Sequence, residues 1–413
     1  MAKSAPLADR SPPGDDALTQ PRRWLVLASY ALVVGVSQLL WLNFAPLLSM
    51  IEARYHVSEL AASSLLLVFP LLYVVFSLPA GALTDARGYR FTVGIGAAAM
   101  VLFAALRIYD SYFLVLLAAQ VGLAVAQPFV LNPISKLVGD WFSEQQGAIA
   151  TGLGTMGMFV GMAAAMASTP AMVNAWGLRA TMGAFAGLTA LVALAFALFV
   201  HPNPRRPAPA TTSHEPHLRV LLRDRELRLL CVLSGLGLGV FNGLTTWLEP
   251  MVAPHGIDAE HAGLLGGMLI LAGIVGSVVV PALSDATRRR KPFLIVCAAV
   301  ALVSIHPLCT SNHFALALAM AGVHGFFFMP AFALLLEMSS NIAGAAAAGA
   351  ATSLLLLAGN GGAVLVIVAM PLVKGGGTDF GRAVLLLVAL LAATTLLAFR
   401  APETFGRRAQ IPA

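Results

Sequence analysis

The sequence predicts an all-α membrane protein with twelve transmembrane helices in two pseudo-symmetric six-helix bundles. Of its 413 residues, 59% are hydrophobic and only 11% are charged, whereas soluble domains usually carry about 25% charged residues. Apolar runs of roughly 20 residues, the length of a helix that crosses a bilayer, recur along the chain. A charged turn between two such runs, Gly81–Arg90, has a second copy at Pro281–Lys291. The repeated turn indicates two homologous halves.

The apolar runs divide the chain into two sets of six spans. The first set lies near residues 24–50, 60–82, 91–108, 112–139, 146–169 and 178–200. The second set lies near 229–253, 261–284, 292–310, 313–337, 344–373 and 380–400. The predicted domains are a disordered tail 1–22, a bundle 23–200, a linker 201–227, a bundle 228–401 and a tail 402–413. The linker is rich in proline, and its end fits a short amphipathic helix over Leu218–Leu229.

The basic residues of the short loops orient these spans. Most of them fall on one side, which also carries the linker arginines, whereas the opposite loops hold few cations. The positive-inside rule then places both termini and the linker in the cytoplasm. We therefore expect a multi-pass protein of the plasma (inner) membrane, present as a monomer in the lipid bilayer.

Two further pairs of segments support the internal repeat. Gly35–Pro46 and Gly239–Pro250 both open with Gly-Val and close with proline at the same spacing. Asp140 and Glu337 each precede two glycines with equal gaps. Conserved local spacing is what the duplication of a six-helix unit should leave.

The first copy of the turn fits the pattern Gly-x-Leu-x-Asp-x-x-Gly-x-Arg, with matches at Gly81, Leu83, Asp85, Gly88 and Arg90. On this pattern the chain resembles the major facilitator superfamily over about residues 20–400. One departure is Arg87, which stands one place later than the usual basic residue. The resemblance implies a cytoplasmic latch of charged residues that holds the two halves together while the transporter faces outward. The residues expected in this latch are Asp85, Arg87, Arg90, Asp140, Asp285 and Glu337. Because the second copy lacks both glycines, we expect the tighter latch in the N-terminal half.

Three sets of shorter motifs narrow the resemblance. They are Trp41 with Glu52 and Tyr55; Gln127-Pro-Phe129 with Pro133, Trp141 and Phe142; and Gly239-Val-Phe241 with Ala262-Gly263 and Ala272–Ser277. They are similar to motifs of the feline leukaemia virus subgroup C receptor-related family. Members of that family move choline, ethanolamine and related small solutes, and haem transport has been proposed for them.

This resemblance implies a solute site near the bilayer midplane, lined by the first, fourth, seventh and tenth helices. Gln38 and Trp41 share one face of the first span, and Gln120 and Gln127 share one face of the fourth. The expected substrate-binding residues are Gln38, Trp41, Gln120, Gln127, Asn242, Thr246, His324 and Asn360. For a single amide the alternative is an ordinary hydrogen bond between helices, and for Trp41 it is packing. Glu249 fits either attraction of a cation at the outer mouth or an exposed helix end.

The chemistry of these residues favours an amine. No Arg or Lys lies in the middle of the four lining helices, whereas an indole face attracts a quaternary ammonium group. We therefore predict a secondary transporter that moves a small, choline-like or other organic solute by alternating access, as a uniporter or with weak coupling. The alternative is a proton-coupled organic-anion or drug efflux carrier of the same fold, with protons bound at His324.

An enzymatic function is not expected. The sequence contains no metal-ligand cluster, nucleophile elbow or phosphate-binding loop. We therefore expect no catalytic residue, no metal, no cofactor and no nucleic-acid partner. The expected partner is a small-molecule solute.

Overall fold

The computed structural model describes residues 20–142, 144–200, 221, 223–344, 347–375 and 380–406. In this part of the chain all regular secondary structure is helical, as predicted. The helices are α1 (Gln20–Leu42), α2 (Leu48–Tyr55), α3 (Glu59–Leu106), α4 (Phe113–Leu131), α5 (Ile134–Trp141), α6 (Glu144–Phe199), α7 (Arg225–Val252), α8 (Ala259–Thr287), α9 (Lys291–Thr310), α10 (Phe314–Ala343), α11 (Ala348–Lys374) and α12 (Gly381–Ala398). Short 3-10 helices, Ala45–Leu47 and Ala253–His255, lie beyond α1 and α7.

Ten helical stretches of the described chain are long and apolar enough to cross a membrane. One of them, α3, has 48 residues, about twice the length that one crossing needs. Its backbone leaves the helical conformation at Gly88, where φ is 80°. Arg54, which precedes α3, pairs with Asp110, which follows it, at 2.7 Å. Because both ends of α3 therefore lie at the same end of the molecule, the chain turns back at Gly88.

The 56-residue helix α6 has the same kind of break at Gly177, where φ is 79°. The two breaks fall between the paired spans that the sequence predicts. Positive φ favours glycine because a Cβ is strained there. The second copy of the charged turn breaks its helix differently: Arg288 ends α8 in the left-handed conformation, with φ 54° and ψ 40°, whereas Gly88 has ψ 164°.

The helices pack in the same way in both halves. In the N-terminal half α1 lies on α6, and in the C-terminal half α7 lies on α11. Glycines allow both close approaches: a Cβ on Gly161 would lie 1.9 Å from Gly35 O, and one on Gly362 would lie 2.0 Å from Gly235 O. Close glycine-mediated crossings thus join the first helix of each half to a later helix of the same half.

Some boundaries differ from the predicted ones. Within the first predicted span, the long helix α1 ends at Leu42. The chain then continues through a 3-10 helix into the short helix α2. Helix α7 begins at Arg225, within the predicted linker, because Asp224 caps it by accepting from Leu227 N at 2.8 Å. In the predicted C-terminal tail, Glu403 and Thr404 pack at the start of α9. The expectations for residues 1–19, for most of the linker and for 407–413 lie outside the described residues.

Candidate functional site

The helix bundle has two ends. We call the end that holds the start of α1, the Gly88 turn and Glu403 the terminal end. We call the end that holds Arg54, Asp110 and the 3-10 helices the opposite end.

Trp41 lies one residue before the end of α1. Its ring is half-buried, and its Nε1 donates to Leu66 O on α3 at 3.2 Å. The indole stacks on Phe69, with ring centroids 5.8 Å apart. One edge of the indole is therefore fixed to α3 while part of the ring stays accessible.

Gln38, one turn before Trp41, is buried without a partner. It is 1% exposed, and neither its Oε1 nor its Nε2 has a hydrogen-bond partner among the described residues. Gln127 of α4, 4% exposed, has an unpartnered Nε2. Leaving a buried polar group unpaired costs about 1–3 kcal/mol. Buried amides normally have partners, so these atoms are available to a bound solute or to water.

Gln120 fits the alternative of a hydrogen bond between helices. It is fully buried, and its Nε2 donates to Leu65 O at 3.0 Å. Leu65 is the neighbour of Leu66, which accepts from Trp41. Of the two polar side-chain atoms of Gln120, only Oε1 lacks a hydrogen-bond partner among the described residues.

Three of the expected C-terminal residues are bonded within their own helices or packed. Asn242 donates to Leu238 O and Asn360 donates to Leu356 O, both at 2.9 Å. Thr246 is buried on α7, one turn after Asn242. Neither amide is hydrogen-bonded to Gln38, Trp41 or Gln127.

His324 lies between helices of the C-terminal half. Its Nδ1 is 3.0 Å from Ser304 Oγ on α9, and α9 packs on helices of its own half. The ring stacks on Phe328 at 5.1 Å, and Phe328 stacks on Phe241 of α7 at 6.3 Å. These contacts hold the ring against α9, whereas the sequence predicts that it lines the central cavity.

The two halves meet at the opposite end. Glu59 at the start of α3 pairs with Lys374 at the end of α11. Glu249 of α7 accepts from both the backbone N–H and the hydroxyl of Ser49, at 3.1 and 2.9 Å. A further side-chain hydrogen bond between the halves joins Asn174 to Glu260 at 3.5 Å. Among the described residues, all such bonds between the halves lie at this end. Glu249 is 5% exposed, so it is part of this contact and not an exposed helix end.

Three of the expected latch residues of the N-terminal half lie on the surface of the described chain. Asp85, Arg87 and Arg90 are exposed, and the structure gives them no ion pair with another described residue. Arg87 lies over the ring of Phe91 at 4.7 Å. Asp140 is half-buried at the end of α5, beside Trp141.

The C-terminal copy of the turn carries a cluster of ion pairs within its own half, and which half carries the tighter latch stays a prediction. Arg290, 3% exposed, pairs with both Asp285 and Glu337. Its backbone N–H donates to Glu403 at 2.9 and 3.0 Å. All these residues belong to one half, so the cluster joins α8, α9, α10 and the segment after α12.

Three buried basic residues were not expected from the sequence to have a structural role: Arg290, Lys374 and Arg107. Arg290 is one of four consecutive basic residues, and only its burial distinguishes it. Lys374 and Arg107 count among the loop cations of the opposite side, but they are 8% and 1% exposed. Their position directly at the end of an apolar run is the signal that a long side chain turns back into the bundle.

Sequence comparison decides the family. The sequence profile of the Major Facilitator Superfamily matches residues 30–367. The chain belongs to this superfamily. It is therefore a member of a family of membrane transporters, a class that is not normally enzymatic, and no group of three metal-ligand side chains occurs among the described residues.

Curated relatives of this superfamily member include proteins of the predicted subfamily. Solute carrier family 49 member A3 of Danio rerio is 28% identical over 324 residues, which cover 74% of this chain and 68% of that protein. Choline/ethanolamine transporter FLVCR1 of Mus musculus is 26% identical over 312 residues, 67% of this chain and 56% of that protein. An uncharacterized protein of Archaeoglobus fulgidus is 37% identical over 124 residues, 30% of this chain and 57% of that protein. The chain thus spans between about half and two-thirds of the length of these relatives.

Solved structures agree with the fold. A bacterial homolog to the human lysosomal transporter Spinster, in an inward-facing and unoccupied conformation, matches with a TM-score of 0.77 and 17% identity, over 95% of this chain and 100% of that one. The same homolog in an inward-facing and occupied conformation matches with a TM-score of 0.72 and 18% identity, over 95% of this chain and 99% of that one. At such identities the likeness concerns the fold alone.

Proposed function

We propose that this superfamily member is a uniporter for a small organic cation of the choline or ethanolamine type. The observation that carries the proposal is the pair of buried amides with unpartnered atoms, Gln38 and Gln127, together with the accessible face of the Trp41 indole, one turn from Gln38. The helices that hold them, α1 and α4, pack on each other. An ammonium group binds an indole face by cation–π attraction, a side-chain amide oxygen accepts from a hydroxyl or an amine, and the amide N–H donates to a hydroxyl oxygen.

We propose that the remaining predicted residues form a second layer of the same site. Asn242 and Thr246 on α7, with Asn360 on α11, would complete the site from the C-terminal half when a solute draws the halves together. Gln120 would hold α3 against α4 and so support Trp41. His324 would stabilise the Phe328–Phe241 stack, and this role leaves no proton-binding group at the site.

The proposed transport cycle is alternating access across twelve crossings, with α3 and α6 each crossing twice. With the terminal end in the cytoplasm, as the positive-inside rule requires, the contacts of Glu59 and Ser49 with the C-terminal half close the outer side. The conformation is then open to the cytoplasm. In this proposal Asp85, Arg87 and Arg90 pair with the other half only after the cytoplasmic side closes.

Uptake by proteoliposomes tests this proposal. Purified protein should take up labelled choline or ethanolamine in a saturable way that an imposed pH gradient does not drive. Trp41→Ala should raise KM about 30-fold, because a desolvated cation–π contact contributes about 2 kcal/mol. Gln127→Ala should also raise KM, by about tenfold for one lost hydrogen bond to a charged solute.

The control is Trp176→Ala, which removes an indole that is 61% exposed and should leave KM unchanged. A folded wild-type protein that moves neither amine would refute the substrate class. Wild-type KM in both site variants would refute the site. Uptake of a carboxylate driven by a pH gradient would favour the anion carrier instead.

A further inference from the structure

Helix α1 ends directly after Trp41, and the side chain of the residue that follows α3, Arg107, contacts this end. Pro46 has no N–H to donate to the carbonyl of Leu42, four residues before it, so the helical ladder stops. Asn43 N still bonds to Leu39 O at 3.1 Å. The next carbonyl, Leu40 O, accepts from Arg107 Nη1 at 3.3 Å.

Arg107 is a buried cation without an acidic partner. It is 1% exposed, and no carboxylate of the described chain lies within ion-pairing distance of it. Its Nη2 donates to Asn43 Oδ1 at 2.8 Å, and its guanidinium lies 4.6 Å from the centre of the Phe44 ring. Burial of a cation is costly, and here the negative pole of the α1 C-terminus offsets part of the cost.

We infer that Arg107 is a positioning residue that fixes the orientation of the Trp41 indole. The inference rests on the proposed function of Trp41. Arg107 contacts residue 40 and residue 43, on either side of Trp41, whereas Leu66 O holds the indole Nε1. The ring is thus fixed by one contact at its edge, and the helix end that carries it by two more, one at the backbone oxygen of Leu40 and one at the side chain of Asn43. Removal of the guanidinium frees the backbone at the helix end, and the indole face turns away from the solute.

A spectroscopic test needs no substrate. The five tryptophans are labelled with 5-fluorotryptophan, and Trp41→Phe assigns the fluorine signal of Trp41. Arg107→Gln should shift or broaden that signal, and Arg107→Lys, which keeps the charge and one donor, should restore part of it. The matched control is Arg54→Gln at the same end, whose guanidinium pairs with Asp110 and should leave the Trp41 signal unchanged.

A binding test joins this role to the solute. Arg107→Gln should weaken choline binding about tenfold, less than Trp41→Ala, because it acts only through the indole. In the Trp41→Ala background the same change should have no further effect on Kd. If Arg107→Gln does not fold, Asn43→Ala, which removes the acceptor of the Nη2 bond, should give the same two results.

The outcomes separate the two proposals. A wild-type protein that binds no amine refutes the proposed substrate, and the fluorine spectra still decide the role of Arg107. An unchanged Trp41 signal in Arg107→Gln, or equal losses of affinity with and without Trp41, overturns the positioning role.

Discussion

The ion pair between Glu59 and Lys374 gives a sharp test of how the two halves are held together. The Lys374 side chain is 5% exposed and that of Glu59 is 31% exposed, so the pair is partly shielded from water. Two unit charges about 4 Å apart attract by about 4 kcal/mol at an effective dielectric constant of about 20. Desolvation offsets much of this attraction. We therefore expect Lys374→Gln to destabilise the closed opposite end by about 1–3 kcal/mol, which shifts its population about 5- to 150-fold.

Pulsed electron–electron distance measurements between spin labels read this population. The labels are placed by Ala53→Cys in α2 and Ala253→Cys after α7, both exposed, with Cys231, Cys297 and Cys309 replaced. Lys374→Gln should add a longer distance to the distribution, and Glu59→Gln should do the same. The exchanged pair, Glu59→Lys with Lys374→Glu, should restore the short distance.

The control removes an exposed cation at the same end. Arg179 has no ion pair in the described chain, and Arg179→Gln should leave the distances unchanged. An unaltered distribution in Lys374→Gln would refute the role of the pair. The closure would then rest on helix packing, as at Gly263, where an added Cβ would lie 2.3 Å from Met166 O.

Two other predictions concern stability. Gly362→Ala should lower the free energy of unfolding by about 1–3 kcal/mol through overpacking, because its Cβ would lie 2.0 Å from Gly235 O. Gly361→Ala is the control, because nothing lies within 4 Å of its added Cβ, and it should keep or raise the midpoint in a thermal unfolding assay. Equal midpoints for the two variants would contradict the close approach of α7 and α11 at Gly362. Burial by itself would raise the pKa of Glu403, but four backbone N–H groups, of Arg290, Phe405, Lys291 and Thr404, outweigh it and lower the pKa. The resulting stability is present above the ordinary glutamate pKa of about 4.3 and is lost as pH falls through the lower folded value. Glu403→Gln should therefore flatten the stability profile in this acidic range, and an unchanged profile would refute the contribution.

The helices could be predicted because the bilayer imposes a length on each apolar run. The paired spans on either side of Gly88 and Gly177 follow from the same pattern. The end of α1 at Leu42 could not be predicted in this way, because the apolar run continues through Pro46 to Met50. Pro46 limits how far the helix can continue, but the contacts with Leu40 O and Asn43 at this end come from Arg107, which is distant in sequence and takes its place only in the folded bundle.

The candidate site could be predicted in part. Helical spacing puts Gln38 and Trp41 on one face, and the cost of a buried amide explains why Gln38 and Gln127 were selected. The same reasoning selects His324, yet its ring contacts Ser304 of α9. A polar residue in the middle of a span must find a partner or a cavity, and spacing along one helix does not tell which neighbouring helix supplies it.

The two copies of the charged turn show how similar local sequence gives different pairing. The argument from glycine favoured the first copy, but Arg288 adopts φ 54°, so the second copy also forms its turn. Arg290 then reaches Asp285 and Glu337, all within one half. This cluster does not require the other half, so in the proposed transport cycle we expect it to persist whichever side is open. Asp85 and Arg90 have the same spacing but are exposed, so we propose that their charges pair with the other half when the terminal end closes. On this proposal the C-terminal cluster is a fixed structural element, and the N-terminal copy is the one whose pairing changes during transport.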